Sequence, residues 1–128
     1  MSFEEAEVIR RRAEAFLRNA EHLLNSGEWD LAVFNLEQYC QLILKYKLLV
    51  KAGSYPRTHS LRRLIRELAK FHPSLSALTD DEGKLHYVAR LEEAYITSRY
   101  TPYNYEDREA LSLYRFVVDV FKKLVEGI

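Results

Sequence analysis

The densest apolar run in the chain, Leu31 to Val50, contains neither Pro nor Gly and repeats its apolar positions at helical steps. Ala32, Leu36, Tyr39, Ile43, Tyr46 and Val50 follow one another at intervals of four and three, with Val33, Cys40 and Leu44 in a second stripe beside them. Two stripes predict a central helix packed against more than one neighbour. Gln38, Gln41 and Lys45 fall on the opposite side, where amides and an ammonium can hydrogen-bond rather than be buried unpaired. Such a strip is most often a partly wetted helix face, and less often a binding site.

The same periodicity organises the rest of the chain. Ser2 with Glu5 fits a capping box, and Ile9, Ala13, Phe16, Ala20 and Leu23 mark a first helix that stops near Asn25-Ser26-Gly27. The turn that follows is short enough to make the first two helices antiparallel neighbours. After Gly53-Ser54-Tyr55-Pro56, Thr58 is a plausible cap for a third helix with Leu61, Leu64, Ile65, Leu68 and Phe71 on its apolar face, ended by Pro73. Ser74 to Thr79 reads as a connector, and Thr79-Asp80-Asp81-Glu82 places a cap at Thr79 and acidic residues after it at the start of a fourth helix running from about Asp80 to Ser98. Leu85, Val88, Leu91 and Tyr95 supply its apolar contacts, and Ser98 to Tyr105 is a break held by Pro102. A last helix begins near Glu106-Asp107 and carries Leu111, Tyr114, Val118, Phe121 and Val125. With no alternating strand pattern, no internal repeat and no Gly-rich phosphate loop, this predicts an all-α, up-and-down bundle of about five helices in a single domain, 1–128.

Composition narrows the partners. Nineteen basic and nineteen acidic side chains give zero formal charge, so long-range attraction alone will not hold this chain to nucleic acid, although a local basic patch can. The N-terminal MSFEEAEVIRRR has no apolar signal core, and no apolar run approaches the ~20 residues a membrane span needs, so a cytoplasmic location without membrane contact is expected. The one cysteine, Cys40, lies in the apolar run and is read as a buried, inert thiol.

The break before the last helix is the most unusual stretch. Tyr95, Tyr100, Tyr103 and Tyr105 put four of nine tyrosines into eleven residues. Clustered phenols need one dry side and one hydrogen-bonding side, which suits a subunit interface or a pocket that stacks bases, the interface being the commoner use. Arg99 adds a fixed positive fork, and the helix N-terminus that follows offers backbone donors to a phosphate. A second candidate is the basic patch of His59, Arg62, Arg63 and Arg66, against which stands the ordinary solvated helix face. Glu82 and His86 lie one turn apart but have no further ligands, so neither a metal nor another cofactor is read from the sequence.

Gly27-Glu28-Trp29-Asp30-Leu31-Ala32, Gln38 to Lys45, Thr58-His59-Ser60-Leu61 and Ser98-Arg99-Tyr100-Thr101-Pro102 together, in this order and spacing, resemble the HEPN family in its small prokaryotic form. The resemblance covers nearly the whole chain. It implies a helical bundle that pairs into a homodimer with the Arg-Tyr region near the two-fold axis, and a small nucleotidyltransferase encoded alongside, often in a toxin and antitoxin arrangement. Active ribonucleases of this family carry an Arg followed by a His with four to six residues between. If Arg99 is that arginine, the positions for the histidine hold Asn104, Tyr105 and Glu106. None supplies an imidazole that titrates near neutral pH, so proton transfer at a ribose hydroxyl loses its usual agent. The resemblance also makes Tyr103 and Tyr105 candidate acceptors of a nucleotidyl group.

The leading expectation is therefore a homodimeric module that binds nucleotide, RNA or a cognate nucleotidyltransferase through Arg99, Tyr100, Tyr103, Asn104 and Tyr105, without full ribonuclease activity. One alternative is a metal-independent ribonuclease toxin that uses Arg99 on the transition-state phosphate, with Asn104 or Tyr105 as substitute. The other is a purely structural dimerisation domain whose tyrosines seal the interface.

Overall fold

The computed structural model describes residues 3–100 and 104–128, except for the side chains of residues 98 and 99. Among the described residues every regular element is helical. Helices α1 (Phe3–Asn25) and α2 (Trp29–Ala52) form a hairpin. Its turn is closed by Gly27 at φ 73°, with Glu28 N–H donating to Leu23 O at 2.9 Å and Gly27 N–H to Leu24 O at 3.2 Å, the paired bonds of a left-handed helix stop. Gly53, at φ 80°, ends α2 by donating to Leu49 O. The expected cap at Ser2 lies outside the described residues.

Helix α2 is the axis, packing against α1, α3 (Leu61–Ala69), α5 (Glu82–Tyr100) and α6 (Asp107–Phe116). Both of its apolar stripes face inward: Ala32, Val33, Leu36, Tyr39, Cys40, Ile43 and Leu44 are all buried. The stripe ends sooner than its periodicity implied, since Tyr46 is half-buried and Val50 is exposed. Helix α1 meets the core about 50° round from the expected face, through Ala6, Ala13, Leu17, Ala20 and Leu24, leaving Ile9, Phe16 and Leu23 half-buried beside it.

Several details differ from the sequence reading. Ser60, not Thr58, caps α3, its hydroxyl accepting from Arg63 N–H at 3.2 Å, while Thr58 Oγ1 accepts from Ser60 N–H; Phe71 lies beyond the helix and is exposed. The supposed connector is a 3-10 turn (Pro73–Ser76) leading into a one-turn helix, α4 (Ala77–Asp80). Asp81 then takes the capping role given to Thr79, with Oδ1 accepting from Lys84 N–H at 2.9 Å. Helix α6 passes through a π-helical turn (Val117–Phe121) into a last α-helical turn (Lys122–Glu126). Counting that C-terminal run as one, the described residues hold six helices rather than five.

The π turn explains why the apolar stripe of the last helix was misread. Its inward residues are Ala110, Leu113, Phe116, Val117, Phe121 and Val125, and a spacing of four from 113 to 125 outruns the 3.6 residues of an α turn. Lys122 N–H reaches back to Val117 O, five residues, and absorbs the excess. Phe121 and Val125 were placed correctly; Leu111 is exposed and Tyr114 and Val118 only half-buried.

Candidate functional site

The polar strip of α2 is not a wetted face. Gln41 is 4% exposed, and beside it Glu37 is fully buried. A carboxylate at that depth must be hydrogen-bonded. Gln41 Nε2 donates to Glu37 Oε2 at 2.8 Å and Gln38 Nε2 donates to Glu37 Oε1 at 2.7 Å. Lys45 Nζ donates to Gln41 Oε1 at 2.9 Å and lies 5.2 Å from the centre of the Tyr55 ring. Burial pushes the Lys45 ammonium below its ordinary range, and Glu37 pulls it partly back. Burial likewise drives the Cys40 thiol upward, with Glu37 adding to the shift, so this sulfur is inert as expected.

The strip leads outward to His59. An ammonium only donates, so the Lys45 bond fixes the Gln41 carbonyl toward Lys45 and His59. His59 Nδ1, 3.1 Å from that carbonyl oxygen, must then be the protonated nitrogen. In the neutral ring Nε2 is left as acceptor for the Tyr95 hydroxyl at 3.0 Å. The two rings are stacked, with centroids 4.2 Å apart and planes 18° from parallel. A continuous chain of contacts thus joins buried Glu37 to an exposed histidine and a tyrosine on α5.

Both rings line a groove of about 390 Å³ between the start of α3 and the second half of α5, with Ser60, Glu92, Ile96 and Thr97. Its carboxylates are compensated. Glu92 accepts from Ser60 Oγ at 2.9 Å, from Arg62 N–H at 3.1 Å and from the Arg62 guanidinium at 2.7 Å. Burial opposes the Glu92 charge, but Arg62 and Ser60 outweigh it and hold the carboxyl below the usual range. Glu93 is paired with Arg90 at 3.0 Å.

These contacts divide the sequence-derived basic patch. His59 belongs to the polar chain and Arg62 is committed to Glu92, whereas Arg63 and Arg66 are exposed on α3. Arg63 lines a separate hollow with Tyr55, Glu67 and Lys70.

Of the Arg-Tyr region, Tyr103 and the side chain of Arg99 lie outside the described residues. Tyr100 is 71% exposed on the last turn of α5, and Asn104 is exposed. Tyr105 is a core residue at 3% exposure. Its N–H donates to Asp30 Oδ1 at 2.7 Å, its hydroxyl lies 3.3 Å from Thr97 Oγ1, and the Arg90 guanidinium sits 5.7 Å from its ring centre. The structure therefore separates the tyrosines: Tyr95 joins His59 on the groove, Tyr105 anchors the start of the last helix, and Tyr100 faces outward.

Sequence reasoning missed Glu37 and the pairing of His59 with Tyr95. The first left a signal, an acidic residue one turn before Gln41 inside the most apolar run. The second joins positions 36 residues apart and left none. Among the described residues no three His, Cys, Asp or Glu side chains gather as a metal site needs, and no helix is long and apolar enough to cross a membrane.

A family model described as HEPN domain matches residues 6–128. No curated protein and no solved structure matches the chain.

Proposed function

The chain belongs to the HEPN domain family, and from that premise we propose that it is a homodimeric, up-and-down helical module that binds nucleotide or RNA, or a small nucleotidyltransferase made beside it in a toxin and antitoxin pair, without full ribonuclease activity. The observation that carries the reading is the fate of the three positions where a histidine would complete an Arg-based ribonuclease motif. They hold Asn104, Tyr105 and Glu106, and the middle one is spent on the core, tied to Asp30 and Thr97. Without an imidazole there, Arg99 retains the means to attract a phosphate but has no partner to move the ribose proton.

Pairing with a second copy is carried by the family likeness and tested by sedimentation equilibrium of the purified protein: a mass near twice that of the 15.1 kDa chain is expected, and a monomer mass removes this part of the reading.

The reading is tested by incubating the purified protein with single-stranded RNA. Retention of intact RNA, weakened roughly tenfold by Arg99→Ala, is expected. Cleavage that disappears in Arg99→Ala would establish the ribonuclease alternative instead. Of the two candidate acceptors of a nucleotidyl group Tyr105 is buried, so the intact mass of Tyr103→Phe after incubation with the partner enzyme and ATP decides: loss of the adenylate is expected, and an adenylate that persists in this variant belongs elsewhere.

A further inference from the structure

We infer that the groove between α3 and α5 is a nucleobase site, in which an unpaired base stacks against the His59–Tyr95 pair. The inference rests on the nucleotide and RNA reading above and gives it a location apart from the Arg-Tyr loop.

Three observations carry it. The first is the platform. Two near-parallel rings with centroids 4.2 Å apart line one groove, and aromatic faces are what unpaired bases seek, at about 1 to 3 kcal/mol per stacked base. The second is rigidity. His59 is held through Nδ1 by Gln41 and through Nε2 by Tyr95, and Gln41 is itself fixed by fully buried Glu37 and by Lys45. Burying a carboxylate and an amide in a helix core costs more than packing apolar side chains there. What this polar chain achieves is an imidazole set in one tautomer and one plane before any ligand arrives, which lowers the entropy lost on binding.

The third is charge. Glu92 is matched by Arg62 and Glu93 by Arg90, so among the described residues the groove presents compensated carboxylates and no cluster of cations. It suits an uncharged planar heterocycle and not a free phosphate. Its volume of about 390 Å³ falls in the range of small-molecule pockets, about 300 to 1,000 Å³. The hydroxyl of Ser60 is engaged with Glu92, and that of Thr97 with Glu93 O, so few groups remain to read base edges. The site is accordingly tolerant of base identity.

The test compares wild type, Tyr95→Leu and Tyr95→Phe for binding of uridine and adenosine by calorimetry, and of a short oligouridylate by fluorescence anisotropy. Circular dichroism first checks that each variant folds. Tyr95→Leu is expected to weaken nucleoside binding roughly ten- to hundredfold, and Tyr95→Phe, which keeps the ring, no more than about fivefold. Inorganic pyrophosphate should not displace the nucleoside. Equal nucleoside and RNA affinity in Tyr95→Leu and wild type, or displacement by pyrophosphate, overturns the nucleobase site while leaving RNA binding elsewhere intact. Absence of any nucleoside or RNA binding by wild type overturns the nucleotide and RNA part of the functional reading, and this site with it.

Discussion

Ile43 is 2% exposed near the centre of α2 and belongs to the same buried core as Tyr39, Leu36 and Leu44. Truncating it to Ala should cost about 2 to 5 kcal/mol in a denaturant titration, the range for a buried aliphatic that leaves a cavity. Glu92 makes a different kind of contribution. Its carboxylate satisfies Ser60 Oγ and two groups of Arg62 at the start of α3, so Glu92→Gln should destabilise by about 1 to 3 kcal/mol. The pH dependence follows from the sign of the shift. A carboxyl held below its ordinary 4.5 when folded adds stability above that value and loses it as pH falls through the lowered pKa. Thermal melts across this acid range should therefore show wild type losing stability that Glu92→Gln never had, and parallel acid limbs would show Glu92 uncoupled from folding. At this scale the sequence was only half informative. Gln41 and Lys45 were correctly seen as polar groups needing partners, but their surroundings depend on Glu37 and on His59 from the segment before α3, and helical periodicity places residues on faces without saying what covers them.

At the scale of elements, the helix starts were legible to within a residue or two because capping chemistry is local. The choice among neighbouring caps was not. Thr58 and Ser60, or Thr79 and Asp81, are equally competent side chains, and the backbone decides between them: Ser60 is extended at ψ 114° and Asp81 at ψ 121°, each just ahead of a helix. Asp81→Ala should lower stability by about 0.5 to 2 kcal/mol, with the loss confined to the start of α5 in hydrogen exchange. The π turn was invisible for another reason. Leu113, Val117, Phe121 and Val125 recur every four residues, a longer period than an α-helix holds, so the alternation of three and four expected of an α-helix pointed to Leu111, Tyr114 and Val118, one register off. Deleting Val118, a half-buried residue of the π turn, should return the turn to α geometry with Phe121 and Val125 still in the core, so near-ultraviolet dichroism close to that of wild type is expected, and loss of that signal would show that the turn does not absorb the excess.

For the whole molecule, the all-helical architecture and the central place of α2 were readable because one long, uninterrupted apolar run can be buried only by surrounding it. The groove was not readable, since it exists only where α3 and α5 lie side by side. The hairpin of α1 and α2 has one more consequence, for the order in which the chain folds. Its two long helices are joined through residues 26–28, and contacts such as Asn19 to Asn35 close over a short stretch of chain. Local closure of this kind loses little entropy, so kinetics should be led by this hairpin, with the C-terminal run docking last. Leu17→Ala or Leu36→Ala should then mainly slow refolding, and Val125→Ala mainly hasten unfolding. Gly27, which alone lets the chain double back there, would thereby govern the speed of assembly as well as the shape of a turn.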